Sequence, residues 1–481
     1  MPSTLCSNFH PGHNFYNYIK FNNIYKNTAT YYNYISRHCH FWVQPSKEGL
    51  PVSHYFCLRE TAELTAFIAD FAALPAESVS VAAALGRVLA HDICSPLPCP
   101  AKSHSVRDGY AVLSADVAGA SPQTPILLRL AGECHMGKEC NAHLQAGEAW
   151  RVFTGGPLPH GADAVVMQED AVPQQNPASA AHVAVCHSCP VGQHVLARGA
   201  DMPQGAPLAK VGTKLGAHHI ALLAQFFQQV PVHRRPVLGV LATGDEFCTS
   251  NTASAIAEGQ TSTNALLLEA LATTLGACCL HLGTVPDNID APKERLRSAL
   301  PDGPTPCDVI VVIGGSSGGK RDFSAQVIAE LPGCRLCGHD QRVSSGRPLT
   351  IARVGQTSIW GLPGHSLSLA LAAQVFLAPL LQRLGGQQTA PEFMGSSPTV
   401  LARLGLALPA GGPAPTHYPV MLRREHGRLT AWPVTAGTGK TAVLRDMHGW
   451  ITMPGSPNPH REGLPHGGLR RGAALRVRLF A

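Results

Sequence analysis

The stretch that most constrains the fold runs from Asp308 to Asp322 and reads DVIVVIGGSSGGKRD. Its β-branched run, residues 309–313, is typical of a strand buried on both faces, and parallel sheets supply such strands. Glycines in the following loop let backbone amides turn toward an anion, so the loop predicts an anion site. A second interpretation is a tight turn in which Asp322 is the N-cap of the next helix.

The stretch sits within a longer alternation of strand and helix patterns that starts at Pro236. This alternation predicts a doubly wound parallel sheet. Acidic residues follow three of its strands: Glu246 the first, Asp287 the second and Asp322 the third. Since open α/β sheets bind ligands beyond the carboxyl ends of their strands, we expect these carboxylates to share one cleft.

The remaining patterns complete an α/β multidomain fold. Residues 58–74 have helical spacing, residues 79–93 indicate a second helix that runs into a strand-like exit, and short alternating segments after residue 103 indicate a β-rich module. Alternating runs near the C-terminus indicate a small β-barrel. The predicted regions are a disordered or untranslated extension (1–55), helical plus β-rich domains (56–231), the α/β domain (232–388) and the barrel (395–481).

Composition and charge exclude several classes of protein. The net charge is +6, but Lys and Arg never occur in runs longer than two, which argues against nucleic-acid binding. No apolar run approaches the length of a membrane span, so we expect a cytoplasmic protein. In such a compartment the cysteines would remain thiols.

Two further motifs suggest other chemistry. The pairs Cys186/Cys189 and Cys334/Cys337 each have CxxC spacing, and together they could bind zinc, although they fall in different predicted domains. Residues 436–441, AGTGKT, mimic a P-loop, but Val434 stands where its first glycine belongs. We interpret this segment as a turn and a P-loop nucleotidase as the weakest hypothesis.

Seven motifs occur in order along the chain after residue 58. They are ALGRVLAHDI (84–93), SVRDGYAV (105–112), VFTGGPLPHGADAVVMQED (152–170), RGAD (198–201), LATGDEF (241–247), GGSSGGKRD (314–322) and GLPGHSLS (361–368). Together they resemble the motifs of the molybdopterin molybdenumtransferases, the molybdenum insertases that include the gephyrin E domain.

The resemblance implies a homodimer in which the α/β domain of one chain faces the N-terminal domains of the other. It implies that adenylylated molybdopterin, molybdate and Mg²⁺ meet there and that AMP is released; tungstate could replace molybdate. A molybdopterin adenylyltransferase and a molybdoenzyme are the implied protein partners, with neither nucleic acid nor membrane involved.

The resemblance also implies roles for individual residues. The implied catalytic residues are Asp108, Asp201, Glu246, Asp287 and Asp322, of which Glu246, Asp287 and Asp322 would bind the metal. The implied cofactor-binding residues are Thr154, Gly314, Gly315, Ser316, Ser317, Gly319, Arg347, Pro363 and Gly364. Carboxylate oxygens suit Mg²⁺, which lowers the barrier to pyrophosphate cleavage.

Departures from the family motifs gather on the anion-binding side. Ser344 replaces a basic residue, Arg347 replaces a lysine, and Ala200 and His365 replace Glu and Asn. Arg342 is a candidate substitute for the lost charge. We therefore predict a divergent paralogue with retained metal ligands and a shifted oxyanion or pterin preference. The alternative is a catalytically impaired carrier or scaffold that binds molybdopterin.

Overall fold

The structure, a computed structural model, describes residues 61–174, 181–244, 262–286, 289–314, 324–343, 347–387, 398–409, 416–434, 441–453 and 468–480. For residues 61–63, 65, 338–343, 347–348 and 441–443 it describes the backbone alone. The predicted extension, residues 1–55, lies outside these ranges.

A six-stranded sheet forms the centre of the α/β region. Its strands are β13 (Val237–Thr243), β14 (Cys278–Val285), β15 (Val309–Ile313), β16 (Cys334–Val343), β17 (Arg347–Val354) and β18 (Thr357–Leu362). The order is β14-β13-β15-β18-β17-β16, and the first four strands are parallel. The predicted parallel sheet is confirmed. The antiparallel hairpin β16–β17 extends it beyond the predicted alternation.

The central strand β15 is buried at all five positions. Full burial of one such aliphatic side chain contributes about 1.5–3 kcal/mol, so this strand anchors the core. The helices on the sheet are α3 (Thr263–Thr274), α4 (Asp290–Ser298), α5 (Ser324–Ala329), α6 (Ser366–Ala372) and α7 (Ala378–Leu384). One further helix, α1 (Thr61–Ala69), joins the same core through Leu64 and Ile68.

Helices α6 and α7 are continuous through a π-helical turn, Ala373–Leu377. The combined helix, Ser366–Leu384, has 19 residues and is long and apolar enough to cross a membrane, contrary to the expectation that no such segment exists. However, 72% of its tested window is buried inside the protein, and its leucines belong to the core of the α/β region. Such burial is typical of the core helix of a folded domain, which passes the same test of length and apolar composition as a membrane span.

The N-terminal part of the chain is rich in β-structure, as predicted. One sheet has the order β7-β4-β6-β5-β9-β8, and three two-stranded ribbons pair β1 with β12, β2 with β11, and β3 with β10. The strands are β1 (Ala76–Ser80), β2 (Ile93–Cys94), β3 (His104–Ser105), β4 (Gly109–Val112), β5 (Ile126–Cys134), β6 (Glu148–Val152), β7 (Ala164–Met167), β8 (Ala171–Gln174), β9 (His182–Val185), β10 (Val195–Leu196), β11 (Pro207–Ala209) and β12 (Gln229–His233). Helix α2 (Ala217–Leu223) precedes β12.

The second helix predicted within residues 79–93 is wrong, although its strand-like exit corresponds to β2. Its start belongs to β1, which pairs antiparallel with β12, and only a short 3-10 turn, Val81–Ala84, is helical. The Ser80 hydroxyl accepts a hydrogen bond from the Ala83 N–H, and Gly86 has a φ of 75°. Pairing with a strand some 150 residues away therefore overrides a local pattern of good helix formers.

The predicted C-terminal barrel is confirmed as a closed five-stranded barrel. Its order is β19-β21-β20-β22-β23, and it closes through pairing of β19 with β23. The strands are β19 (Thr399–Leu404), β20 (Thr416–Glu425), β21 (Arg428–Pro433), β22 (Gly449–Met453) and β23 (Ala474–Leu479). Most of the P-loop-like segment lies outside the described residues. It precedes a 3-10 turn, Thr441–Asp446, and not the α-helix that a P-loop requires.

Two expectations about cysteine are corrected. Cys134 and Cys140 form a disulfide, so these two residues are not thiols. The CxxC pairs do not share a zinc site, because Cys189 lies in the core of the N-terminal sheet and Cys337 in that of the α/β region. Burial raises the pKa of both thiols to about 11, whereas zinc binds the thiolate.

Candidate functional site

One half of the candidate site is a carboxylate that two donors fix in place. Asp108 immediately precedes β4, and Thr154 follows β6 by two residues. Because β4 and β6 pair antiparallel, with Gly109 opposite Val152, the two side chains meet. Asp108 Oδ1 accepts hydrogen bonds from the Thr154 backbone N–H at 2.7 Å and from its hydroxyl at 2.9 Å. The structure thus brings together two residues that are 46 positions apart.

These bonds keep the Asp108 carboxylate charged. The Thr154 N–H, then its hydroxyl, and to a smaller extent the charge of Arg151 hold the pKa of Asp108 below its ordinary value. Both residues are exposed, so a ligand can reach them. Gly109 allows this arrangement, since a Cβ there would lie 2.0 Å from the Val166 carbonyl oxygen of β7.

Asp201 lies on a neighbouring segment. Its N–H donates to the Cys99 carbonyl at 3.1 Å, and the Arg198 N–H donates to the Ser103 hydroxyl at 3.2 Å. Together with the pairing of β10 and β3, these bonds align Asp201 with the chain that leads to Asp108. Within the described residues, no hydrogen bond joins Asp201 to Asp108 or Thr154. Asp201 is exposed and available to a ligand or a partner.

The other half of the candidate site is the carboxyl edge of the parallel strands. The Gly244 N–H donates to the Val285 carbonyl at 3.1 Å, which joins the ends of β13 and β14. The Thr243 hydroxyl donates to the Ile313 carbonyl at 3.3 Å, which joins β13 to β15. Backbone and side chain therefore link the strand ends from which the acidic loops leave.

Glycine is required where two of these strand ends approach each other. Gly314 has a φ of 99°, and a Cβ on it would lie 2.9 Å from the Thr243 carbonyl oxygen. A Cβ on Gly364 would lie 3.8 Å from the Gly314 Cα, and Pro363 is buried beside it. The Gly314 N–H already donates to the Leu362 carbonyl at 3.2 Å. The Gly314 amide is therefore already engaged and is not free to bind an anion.

Sequence reasoning missed the importance of Asn264, which is the second residue of α3. Its Nδ2 donates to the Gly364 carbonyl at 2.6 Å, and the side chain is only 7% exposed. The available signal was a polar residue at the start of an otherwise apolar helix. That pattern is equally typical of a helix N-terminus with no further role.

Several predicted site residues lie outside the described ranges. They are Glu246, Asp287, Gly315, Ser316, Ser317, Gly319 and Asp322. Arg347 begins β17, opposite Val343, and only its backbone is described. No group of three or more metal-ligating side chains occurs among the residues that the structure describes.

Comparison with known proteins identifies the family. Residues 59–226 match the family described as "MoeA N-terminal region (domain I and II)", and residues 239–383 match the "Probable molybdopterin binding domain". A molybdopterin molybdenumtransferase of a Nostoc species is 33% identical over 315 residues, which cover 64% of this chain and 70% of the relative. This chain belongs to the molybdopterin molybdenumtransferase family.

Other similarities extend over more of the chain. The molybdopterin molybdenumtransferase of Bacillus subtilis is 28% identical over 391 residues, which cover 80% of this chain and 88% of that protein. The crystal structure of a molybdopterin biosynthesis MoeA protein from Pyrococcus horikoshii superposes with a TM-score of 0.73 at 28% identity, covering 88% of this chain and 99% of that one. As a molybdopterin molybdenumtransferase family member, the chain is a transferase of molybdenum cofactor biosynthesis with the MoeA-like fold.

Proposed function

We propose that this protein transfers molybdate, or tungstate, to adenylylated molybdopterin in a Mg²⁺-dependent reaction that releases AMP. The observation that carries the proposal is the convergence of the strand ends after Thr243, Val285 and Ile313, which hydrogen bonds hold at one edge. The loops with Glu246, Asp287 and Asp322 leave from this edge. We propose these three acids as the metal ligands.

The donor chemistry at this edge fits Mg²⁺. The proposed ligands are carboxylates, and Mg²⁺ prefers a few carboxylate oxygens together with water and substrate phosphate. When bound, the ion would neutralise charge on phosphoryl oxygens of the pyrophosphate. In the homodimer proposed below, the charged Asp108 carboxylate of the second protomer would add a further oxygen donor, since Oδ2 receives neither of the bonds from Thr154.

We assign the binding of the phosphate end of the substrate to the loops after β15 and β18. Gly314 and Gly364 leave no side chain between these loops, so backbone can approach a ligand closely. Amides from Gly315 to Gly319 and the hydroxyls of Ser316 and Ser317 would donate to phosphate, and Arg347 would supply positive charge.

We propose that two protomers complete the site as a homodimer, with Asp108, Thr154 and Asp201 of one chain facing the sheet edge of the other. The exposure of all three residues supports this arrangement. We further propose that the enzyme is cytoplasmic, receives its substrate from a molybdopterin adenylyltransferase and delivers its product to a molybdoenzyme.

The test is to incubate the purified protein with adenylylated molybdopterin, Mg²⁺ and either molybdate or tungstate, and to quantify AMP. We expect AMP release that requires Mg²⁺ and an oxyanion and that is lost in Asp322→Ala. Binding of the pterin nucleotide without AMP release would overturn the proposal in favour of a carrier. Rates equal to those of an ordinary molybdenumtransferase with molybdate would refute the shifted oxyanion preference.

A further inference from the structure

Asn264 links two loops that flank the end of the central strand. The sheet order places β15 between β13 and β18. Asn264 comes from the helix that follows β13, and its acceptor, Gly364, lies in the turn that follows β18. The hydrogen bond therefore joins segments that follow the two strands on either side of β15. Gly314, the first residue beyond β15, lies close to Gly364, since a Cβ on Gly364 would lie 3.8 Å from the Gly314 Cα.

The orientation of the Asn264 amide follows from its acceptor. A carbonyl oxygen can only accept, so the atom that faces Gly364 must be the amide nitrogen. With Nδ2 so engaged, Oδ1 is a buried acceptor for which the described part of the chain offers no hydrogen-bond partner. Burying an amide costs free energy unless the amide is hydrogen-bonded, and the Asn264 side chain is only 7% exposed. We therefore infer that an amide is present at this position because its N–H donor is needed to bind the Gly364 carbonyl.

From this geometry we propose that Asn264 is a positioning residue of the transferase: it fixes the Pro363–Gly364 turn against Gly314 and so sets the shape of the phosphate-binding edge. The inference rests on the proposed function of that edge. The turn leads directly into α6, whose N-cap is His365. Release of the Gly364 carbonyl would free the turn from α3 and loosen its approach to Gly314.

Two substitutions of Asn264 distinguish a role in positioning the Pro363–Gly364 turn from a role in core packing alone. Asn264→Leu preserves the volume and removes the donor, whereas Asn264→Asp preserves the shape and donates only when its carboxyl is protonated. We expect both variants to lower kcat/KM for AMP release by about 10–100-fold at neutral pH, the range for a buried hydrogen bond whose acceptor is left unpaired. Only Asn264→Asp should recover as the pH falls. Thr274→Val, at the exposed end of the same helix, should have no effect.

Amide hydrogen exchange provides a readout that does not depend on activity. In the ligand-free protein, Asn264→Leu should speed exchange in the peptide that spans residues 362–367 and leave β15 unchanged. Asn264→Asp should show the same effect at neutral pH and lose it in acid, after correction for intrinsic exchange. Unchanged exchange in both variants would reject the positioning role even if the wild type releases AMP. An inactive wild type with the expected exchange pattern would reject the proposed function alone.

Discussion

Arg234 and Asp308 form a two-bond ion pair at the point where the chain enters the α/β sheet. Nη1 lies 2.8 Å from Oδ2, and Nη2 lies 2.6 Å from Oδ1. Asp308 Oδ2 also accepts the Val237 N–H at 2.8 Å, so one carboxylate ties the linker before β13 to the start of β15.

This arrangement predicts that Asp308→Ala lowers the free energy of unfolding by about 1–3 kcal/mol, because it leaves a backbone N–H and a guanidinium without their acceptor. Arg234 is partly exposed, which keeps the expected loss toward the lower end of this range. Denaturant unfolding measures it. Asp302→Ala, at an exposed position nearby, is the control, and equal stabilities of the two variants would contradict the prediction.

The bonds from Thr154 to Asp108 predict a shift in titration. Thr154→Val removes the hydroxyl donor and keeps the backbone donor, so the pKa of Asp108 should rise part of the way toward its ordinary value; Thr154→Ser should preserve it. Because the pKa is lowered in the folded state, the stabilisation is present above the unfolded pKa and is lost as pH falls through the folded pKa. NMR titration of the carboxyl carbon would measure the shift, and an unchanged Thr154→Val value would refute it.

The close approach of Gly314 to Thr243 predicts a large effect of a single methyl group. Gly314→Ala combines a positive φ with an overlap at the Thr243 carbonyl, so it should destabilise the protein by about 2–4 kcal/mol. Gly333→Ala is a matched control: its φ is 69° but no atom lies within 4 Å of its added Cβ. This control should lose only about 1–2 kcal/mol. Thermal unfolding would measure the loss of stability in each variant. Equal losses in Gly314→Ala and Gly333→Ala would contradict the prediction.

The Cys134–Cys140 disulfide predicts a dependence on reducing conditions. It closes a short loop, for which the chain-entropy relation gives about 2 kcal/mol of stabilisation. The loop lies near the candidate site, since His135 stacks on Phe153, the residue before Thr154, with ring centroids 6.4 Å apart. We expect dithiothreitol to lower the melting temperature of the wild type and to leave a Cys134→Ser/Cys140→Ser variant unaffected. Thiol counting under denaturing, non-reducing conditions verifies the bond, and two extra reactive thiols would disprove it.

The acidic loops predict the sharpest loss of activity. Asp322→Asn keeps the size of the side chain but removes its charge, so the proposed Mg²⁺-dependent AMP release should fall by about 100-fold or more if Asp322 is a metal ligand, as we propose. Unfolding should be unaffected. Asp302→Asn serves as the charge-matched control. A variant that retained wild-type turnover would exclude Asp322 from metal binding.

What the sequence predicted well depended on strong local patterns. The β-branched run of β15 and its glycine-rich exit are signals within a few residues, and they located the parallel sheet and its carboxyl edge. The helix predicted over residues 79–93 failed because distant pairing with β12 decides the conformation of Ala76–Ser80. The hairpin β16–β17 was missed because its strands carry charged and polar residues rather than an apolar run.

In the candidate site, too, local motifs were predicted and contacts between distant residues were not. Asp108 and Thr154 were predicted as separate motif positions, and the structure adds that one accepts hydrogen bonds from the other. The role of Asn264 could not be predicted, because its acceptor lies 100 residues away and is a backbone carbonyl that any residue type would supply. The disulfide was missed because the cysteine content indicates only the redox compartment expected for the whole protein. It does not show that Cys134 and Cys140 lie close enough in one loop to form a bond.

The π-helical turn at Ala373–Leu377 gives the long core helix a change of phase. Such a turn contains one residue more than an α-helical turn, which shifts the apolar sequence pattern after it by one position, or about 100° of helix rotation, while α6 and α7 both pack in the same core. Phe376, within this turn, meets His417 of the barrel edge to face, with ring centroids 5.8 Å apart. Deleting one residue here would let the turn become α-helical while α6 and α7 keep their leucines in the core, and it would displace Phe376 from His417. The extra residue thus acts at the junction between the core helix and the C-terminal barrel.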